Sequence, residues 1–221
     1  MRIGILLGGS VLLSVFVVLV FQMPARASEI LLDDYKSGLS PKWREKCLAG
    51  KTSYEVIEED GQPYIKATSR SAASALYYKI EYDAKEYPII TWSWKVANVL
   101  TKGNALEKKS HDFAARVMVI FPAAIPWNSQ ALSYTWANRL PIGSVTPNPS
   151  LPSANTIALK SGPTQTGQWF EERRNIVEDY RRCFGQDPPQ VGAIAIMTDT
   201  DDTCEEAMAW YGPIRISAAT N

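Results

Sequence analysis

The chain has 221 residues, 46% of them hydrophobic and 21% charged, the balance of an ordinary globular domain and not of a disordered or collagen-like one. Lys plus Arg and Asp plus Glu number 23 each, and removing residues 1 to 27 takes away Arg2 and Arg26, leaving 21 cations against 23 anions. A slightly acidic remainder lacks the basic face that phosphate neutralisation needs, which argues against nucleic acid as the partner.

At the N-terminus Arg2 precedes an uncharged run from Ile3 to Phe21. Ala25-Arg26-Ala27 then offers small residues at the two positions a signal peptidase reads, and Pro24 disfavours a helix just upstream. Cleavage after Ala27 is expected, leaving residues 28–221 as one domain in the periplasm or outside the cell. The alternative is an anchor in the inner membrane through residues 3–21, because that run exceeds the usual signal core of about 7 to 15 residues and nearly suffices to cross a bilayer. Membrane contact is expected only through this segment.

From Ile30 onward, short apolar runs are broken by turn residues, the pattern of a β-sandwich or barrel. Tyr54–Glu58 and Tyr64–Ala67 flank an Asp60-Gly61 hairpin signal. Ala75–Tyr82 is a strand, and Ile89–Val96 another whose Ile90, Trp92, Trp94 and Val96 share a core-facing side. Phe113–Phe121 is apolar on both faces apart from Arg116, a central strand with Leu132–Trp136, Thr156–Lys160 and Gln190–Thr198 as neighbours. Ile214–Ser217 closes the sheet. Pro141–Pro152, with four prolines, is expected as a surface loop. Val177, Tyr180 and Phe184 recur at helical spacing before Gly185, and Glu178 with Arg182 forms an i,i+4 pair.

The three cysteines are Cys47, Cys183 and Cys204. In an oxidising compartment Cys183 and Cys204 would close a short loop, adding roughly 3 kcal/mol in the chain-entropy view; the alternative is three buried thiols. With no Cys-x-x-Cys pair and a single histidine, His111, zinc is not expected.

Several ordered segments resemble a known family: Trp92-Ser93-Trp94-Lys95-Val96, His111 to Val117, Tyr134-Thr135-Trp136, Arg174 to Tyr180 and Ala193 to Asp201. Together they resemble DUF3047, exported bacterial proteins of unknown function, over Leu31 to Ile216. The sequence departs from that pattern at His111, where an acidic residue commonly precedes Asp112, and this weakens any catalytic role for the histidine. Asp33-Asp34-Tyr35 with Trp43, and a last strand after Trp210-Tyr211, are similar to jelly-roll carbohydrate-binding modules of the galactose-binding type. The fold these features imply is mainly β, an antiparallel sandwich with one or two short helices.

Three constellations carry chemistry. Asp199 and Asp201, in the turn Thr198 to Thr203, can present hard oxygens to Ca²⁺, or else cap backbone amides in a solvated turn. Asp112 and Arg116, four apart, share one strand face and either border a sugar or acidic ligand on a concave sheet surface or belong to a buried structural ion pair or hydrogen-bond network, since Arg116 must have a partner. Trp127 and Trp136, beside Asn128, Asn138 and Arg139, are candidate stacking groups for a sugar, although most aromatic residues are core. The expected function is a non-catalytic exported module binding glycan or another envelope component through Asp112, Arg116, Trp127, Trp136 and Arg139. The alternatives are a hydrolase or lyase on an envelope polysaccharide using Asp112, Arg116 and Asp199, or a protein-interaction module. No nucleophile elbow is present, and a serine triad would have to recruit His111.

Overall fold

The computed structural model describes residues 29–125 and 128–219. The leader, its cleavage point and Trp127 lie outside the described residues. In chain order the first strands are β1 (Glu29–Leu31), β2 (Trp43–Ala49), β3 (Ser53–Glu59), β4 (Gln62–Arg70), β5 (Ala73–Tyr82), β6 (Ile89–Val96) and β7 (Ala115–Phe121). They are followed by β8 (Gln130–Ala137), β9 (Val145–Asn148), β10 (Leu151–Ser161), β11 (Phe170–Asn175), helix α1 (Ile176–Phe184), β12 (Val191–Asp199), β13 (Glu206–Tyr211) and β14 (Arg215–Ser217). A short 3₁₀ turn spans Lys108–Ser110.

Two sheets face each other as a β-sandwich. One has the order β1-β14-β6-β13-β4-β3, with β11 on the free side of β6, and the other β2-β5-β12-β7-β8-β10-β9. All pairs are antiparallel except β8 with β10, which run parallel. Strands β13 and β14 lie end to end along one side of β6. Gly212 lies between them, where a Cβ would stand 2.1 Å from Ser93 Oγ and require that hydroxyl to turn away. The β3–β4 turn places Asp60 and Gly61 at φ 53° and 72°, the two positive φ values of a type I′ hairpin.

Strand alternation builds the core. Ile90, Trp92, Trp94 and Val96 all point inward, as their spacing predicts. Trp92 packs on Tyr134 at 5.4 Å between ring centres and Trp94 on Trp136 at 6.1 Å, joining β6 of one sheet to β8 of the other. Strand β7 is central, flanked by β12 and β8; the Thr156–Lys160 segment lies one strand further out, beside β8.

Three expectations need correction. Ile214–Ser217 closes the opposite sheet, on β6 and β1. Pro141–Pro152 is not loop throughout: Asn148 Oδ1 accepts from Ser150 N at 2.8 Å and Leu151 N at 3.1 Å, turning β9 into β10. Pro147 is tolerated because β9 is an edge strand. In α1, Glu178 does not reach for Arg182: its Oε1 accepts from Asn175 Nδ2 at 2.8 Å, and Arg182 donates to Gly143 O at 2.7 Å.

Among the described residues no helix is long and apolar enough to cross a membrane. The three thiols are free; Cys47 and Cys204 are exposed and Cys183 packs against the core. Pairing of Cys183 with Cys204 is overturned by topology. The nine-residue β12 runs from the α1 end of the sandwich toward Cys204, about 30 Å at strand rise, against the ~7 Å a disulfide tolerates.

Candidate functional site

Register brings the predicted polar residues together. Because β7 and β12 run antiparallel with Arg116 opposite Met197, the residues just before β7 meet those just after β12. Arg116 Nε donates to Asp199 Oδ1 at 2.9 Å and its Nη2 donates to Asp199 Oδ2 and, at 2.6 Å, to His111 O. The guanidinium lies 4.4 Å from the Phe113 ring centre. Phe113 N donates to Asp199 Oδ1 at 3.3 Å. Asp112 Oδ2 accepts from Thr203 N at 2.7 Å, and Asn138 Nδ2 holds the Asp112 carbonyl at 2.7 Å. One carboxylate oxygen each from Asp112, Asp199 and Asp201 lies within 4.8 Å of the others.

Three of the site's charged side chains are enclosed. Asp112, Arg116 and Asp199 are 1%, 5% and 3% exposed. Burial pushes the Asp199 carboxyl up to about 7 against the pull of Arg116, with Asp112 adding to the rise. Burial also raises Asp112. His111 is lowered to about 3, first by burial and then by the Arg116 cation, so its imidazole is neutral. Two buried atoms here have no hydrogen-bond partner, Asp112 Oδ1 and His111 Nε2.

These positions correct several expectations. Asp112 and Arg116 do not border an open surface, and the ion-pair partner of Arg116 is Asp199. Asp112, Arg116 and Asp199, the residues of the hydrolase or lyase alternative, are all buried. Trp136 is fully buried against Trp94 and Phe170, with Nε1 donating to Gly162 O at 3.2 Å; it is core. Arg139 is exposed and donates to Thr101 O at 2.7 Å.

A group the sequence reading passed over lies on the outer face of the first sheet. The buried sets Ile65, Ala67 and Ser69 on β4 and Ala207, Ala209 and Tyr211 on β13 leave Tyr64 and Trp210 facing out. Trp169, just before β11, leans across the sheet onto Tyr64, with ring centres 4.3 Å apart and planes inclined by 33°. Lys95 Nζ sits 4.5 Å from the Trp210 ring centre and 5.1 Å from that of Trp169, and donates to Glu59 Oε2 at 2.9 Å. All three aromatic rings are partly exposed. The period-2 alternation that assigns Trp92 and Trp94 to the core also assigns Trp210 to the surface once β13 is recognised. By contrast, the trough on the outer face of the second sheet has an alanine floor (Ala75, Ala193, Ala195) and a single aromatic, Tyr77, among its lining residues.

The family described as Protein of unknown function (DUF3047) matches residues 41–215. No curated protein matches the sequence. Among solved structures, the family 30 carbohydrate-binding module of the Clostridium thermocellum cellulosomal cellulase Cel9D-Cel44B is similar with TM-score 0.51 and 11% identity, over 87% of this chain and 99% of that one. Two looser likenesses are the cellulose-induced protein Cip1 (TM-score 0.48, 11% identity, 85% of this chain and 96% of that one) and the CBM22-1 xylan-binding domain of Paenibacillus barcinonensis Xyn10C (TM-score 0.42, 12% identity, 89% and 100%).

Proposed function

Given that this chain belongs to the DUF3047 family, whose description names no activity, we propose that it is an exported glycan-binding β-sandwich that holds its ligand on the Tyr64–Trp169–Trp210 face. The observation that carries the reading is the aromatic cluster itself: three partly exposed rings on a sheet, fixed in place by a lysine lodged between two indoles. Exposed aromatic groups on a rigid scaffold offer a large apolar contact at low entropic cost, which suits the hydrogen-bearing face of a pyranose. Lys95, with a side chain 11% exposed, positions the indoles through cation–π contact and is neutralised by Glu59. The fold shared with a carbohydrate-binding module supports the reading at the level of architecture alone. Export is carried in this proposal by the Ile3–Phe21 run and Ala25-Arg26-Ala27.

The test is a glycan array probed with the full-length chain and with Trp169→Ala and Trp210→Ala, each checked for fold by circular dichroism. Selective binding is expected, and truncating a central Trp should cost about 2 kcal/mol, roughly 30-fold in affinity. Trp127→Ala and Arg139→Ala, run in parallel, report on the two remaining candidate ligand residues of the sequence. Unchanged affinity in both patch variants removes the patch from the proposal. A folded protein with no selective glycan overturns the proposal as a whole.

A further inference from the structure

We propose that Asp112, Asp199 and Asp201 form a binding site for one divalent cation with a preference for oxygen ligands, Ca²⁺ foremost. Each residue brings a carboxylate oxygen to within 4.8 Å of the other two, the span of opposite ligands around an ion held at about 2.3 to 2.6 Å. A second observation points to a ligand. Asp112 is 1% exposed and its Oδ1 has no hydrogen-bond partner, although its Oδ2 is tied to Thr203 N. A buried carboxylate oxygen left unpartnered is costly, and a cation among these carboxylates would satisfy it. Arg116 is already committed to Asp199 and to His111 O and makes no hydrogen bond to Asp112 or Asp201. The donors are carboxylates alone, which favours Ca²⁺, Mg²⁺ or Mn²⁺ over Zn²⁺ or Cu²⁺. Asp199 is held by Arg116 and Phe113 N, so two of the three ligands are fixed in advance, and the half-buried Asp201 gives the ion its way in. The proposal does not depend on glycan binding.

The experiment uses the full-length chain stripped with EDTA and desalted, titrated calorimetrically with CaCl₂, MgCl₂ and MnCl₂, with thermal unfolding followed at each concentration. Expected are saturable binding of one ion per chain and an unfolding temperature that climbs with ion concentration. Asp201→Asn, whose side chain takes no part in the Arg116 network, should weaken affinity about 10-fold or more while the chelated protein unfolds at the wild-type temperature. Asp112→Asn, which keeps an acceptor for Thr203 N, should do the same, and either variant, if folded, decides. No heat and no thermal shift with any of the three ions overturns the proposal. So does wild-type affinity in a folded variant.

Discussion

Glu172 shows how burial acts on a single carboxylate at the edge of this core. It accepts from Trp94 Nε1 at 3.2 Å and lies 3.8 Å from Lys160 Nζ. Burial raises its pKa from 4.5, with Lys160 opposing. A carboxyl raised on folding favours the native state most when protonated. Its contribution is therefore complete below about pH 4.5 and is lost as pH climbs through the folded value. Glu172→Gln keeps an acceptor for Trp94 and should remove this loss, so wild type falls behind the variant as pH rises from 4 to 8 in thermal unfolding. A pH-independent difference would refute this. At this scale the sequence exposed residue chemistry but not partnership. Asp199, Asp201 and Asp112 could be singled out as carboxylates from local spacing alone, yet the group that binds Arg116 stands 83 residues away in sequence. Trp136 was misjudged and Trp210 passed over for a related reason: an aromatic residue at a strand end reads alike whether it points in or out until its strand is paired.

Helix α1 was legible from its apolar spacing and from Gly185, which takes φ 71° and donates to Arg181 O. Its start was less so. Asn175 Oδ1 accepts from Val177 N at 3.1 Å and Glu178 N at 3.3 Å, an N-cap whose side-chain amide is held in turn by Glu178 Oε1. Asn175→Ala should cost about 1 kcal/mol, roughly 2 to 4 °C in a chain of this size, as read by thermal unfolding. An unchanged midpoint would show the cap to be redundant. Interior strands β4, β5, β6, β7, β8 and β12 were legible because alternation or continuous apolarity marks a buried strand. Strands β2 and β11, WREKCLA and FEERRN, were missed: β2 lies at a sheet edge and β11 on the free side of β6, where charged side chains dominate and the backbone pairs on one flank only.

For the molecule as a whole, the leader reading makes a separate prediction. N-terminal sequencing of the protein recovered from the periplasm or medium should begin at Ser28; an intact Met1 in the membrane fraction would favour the anchor. Composition, strand periodicity and turn residues were enough to determine a mainly β sandwich or barrel with a short helix, the resemblance to jelly-roll modules choosing the sandwich, because those signals depend on local backbone preference and on which face of a strand is apolar. Motifs spread along the chain were also enough to place it in its family. Only the tertiary structure decided which polar groups meet. It joined Asp112 to Asp199 and Asp201 across the β7–β12 register, buried Trp136, and drew Tyr64, Trp169 and Trp210 from three separate segments around Lys95. Such encounters depend on strand order and register, which follow from how the two sheets bury their apolar faces against each other and not from any local run of residues.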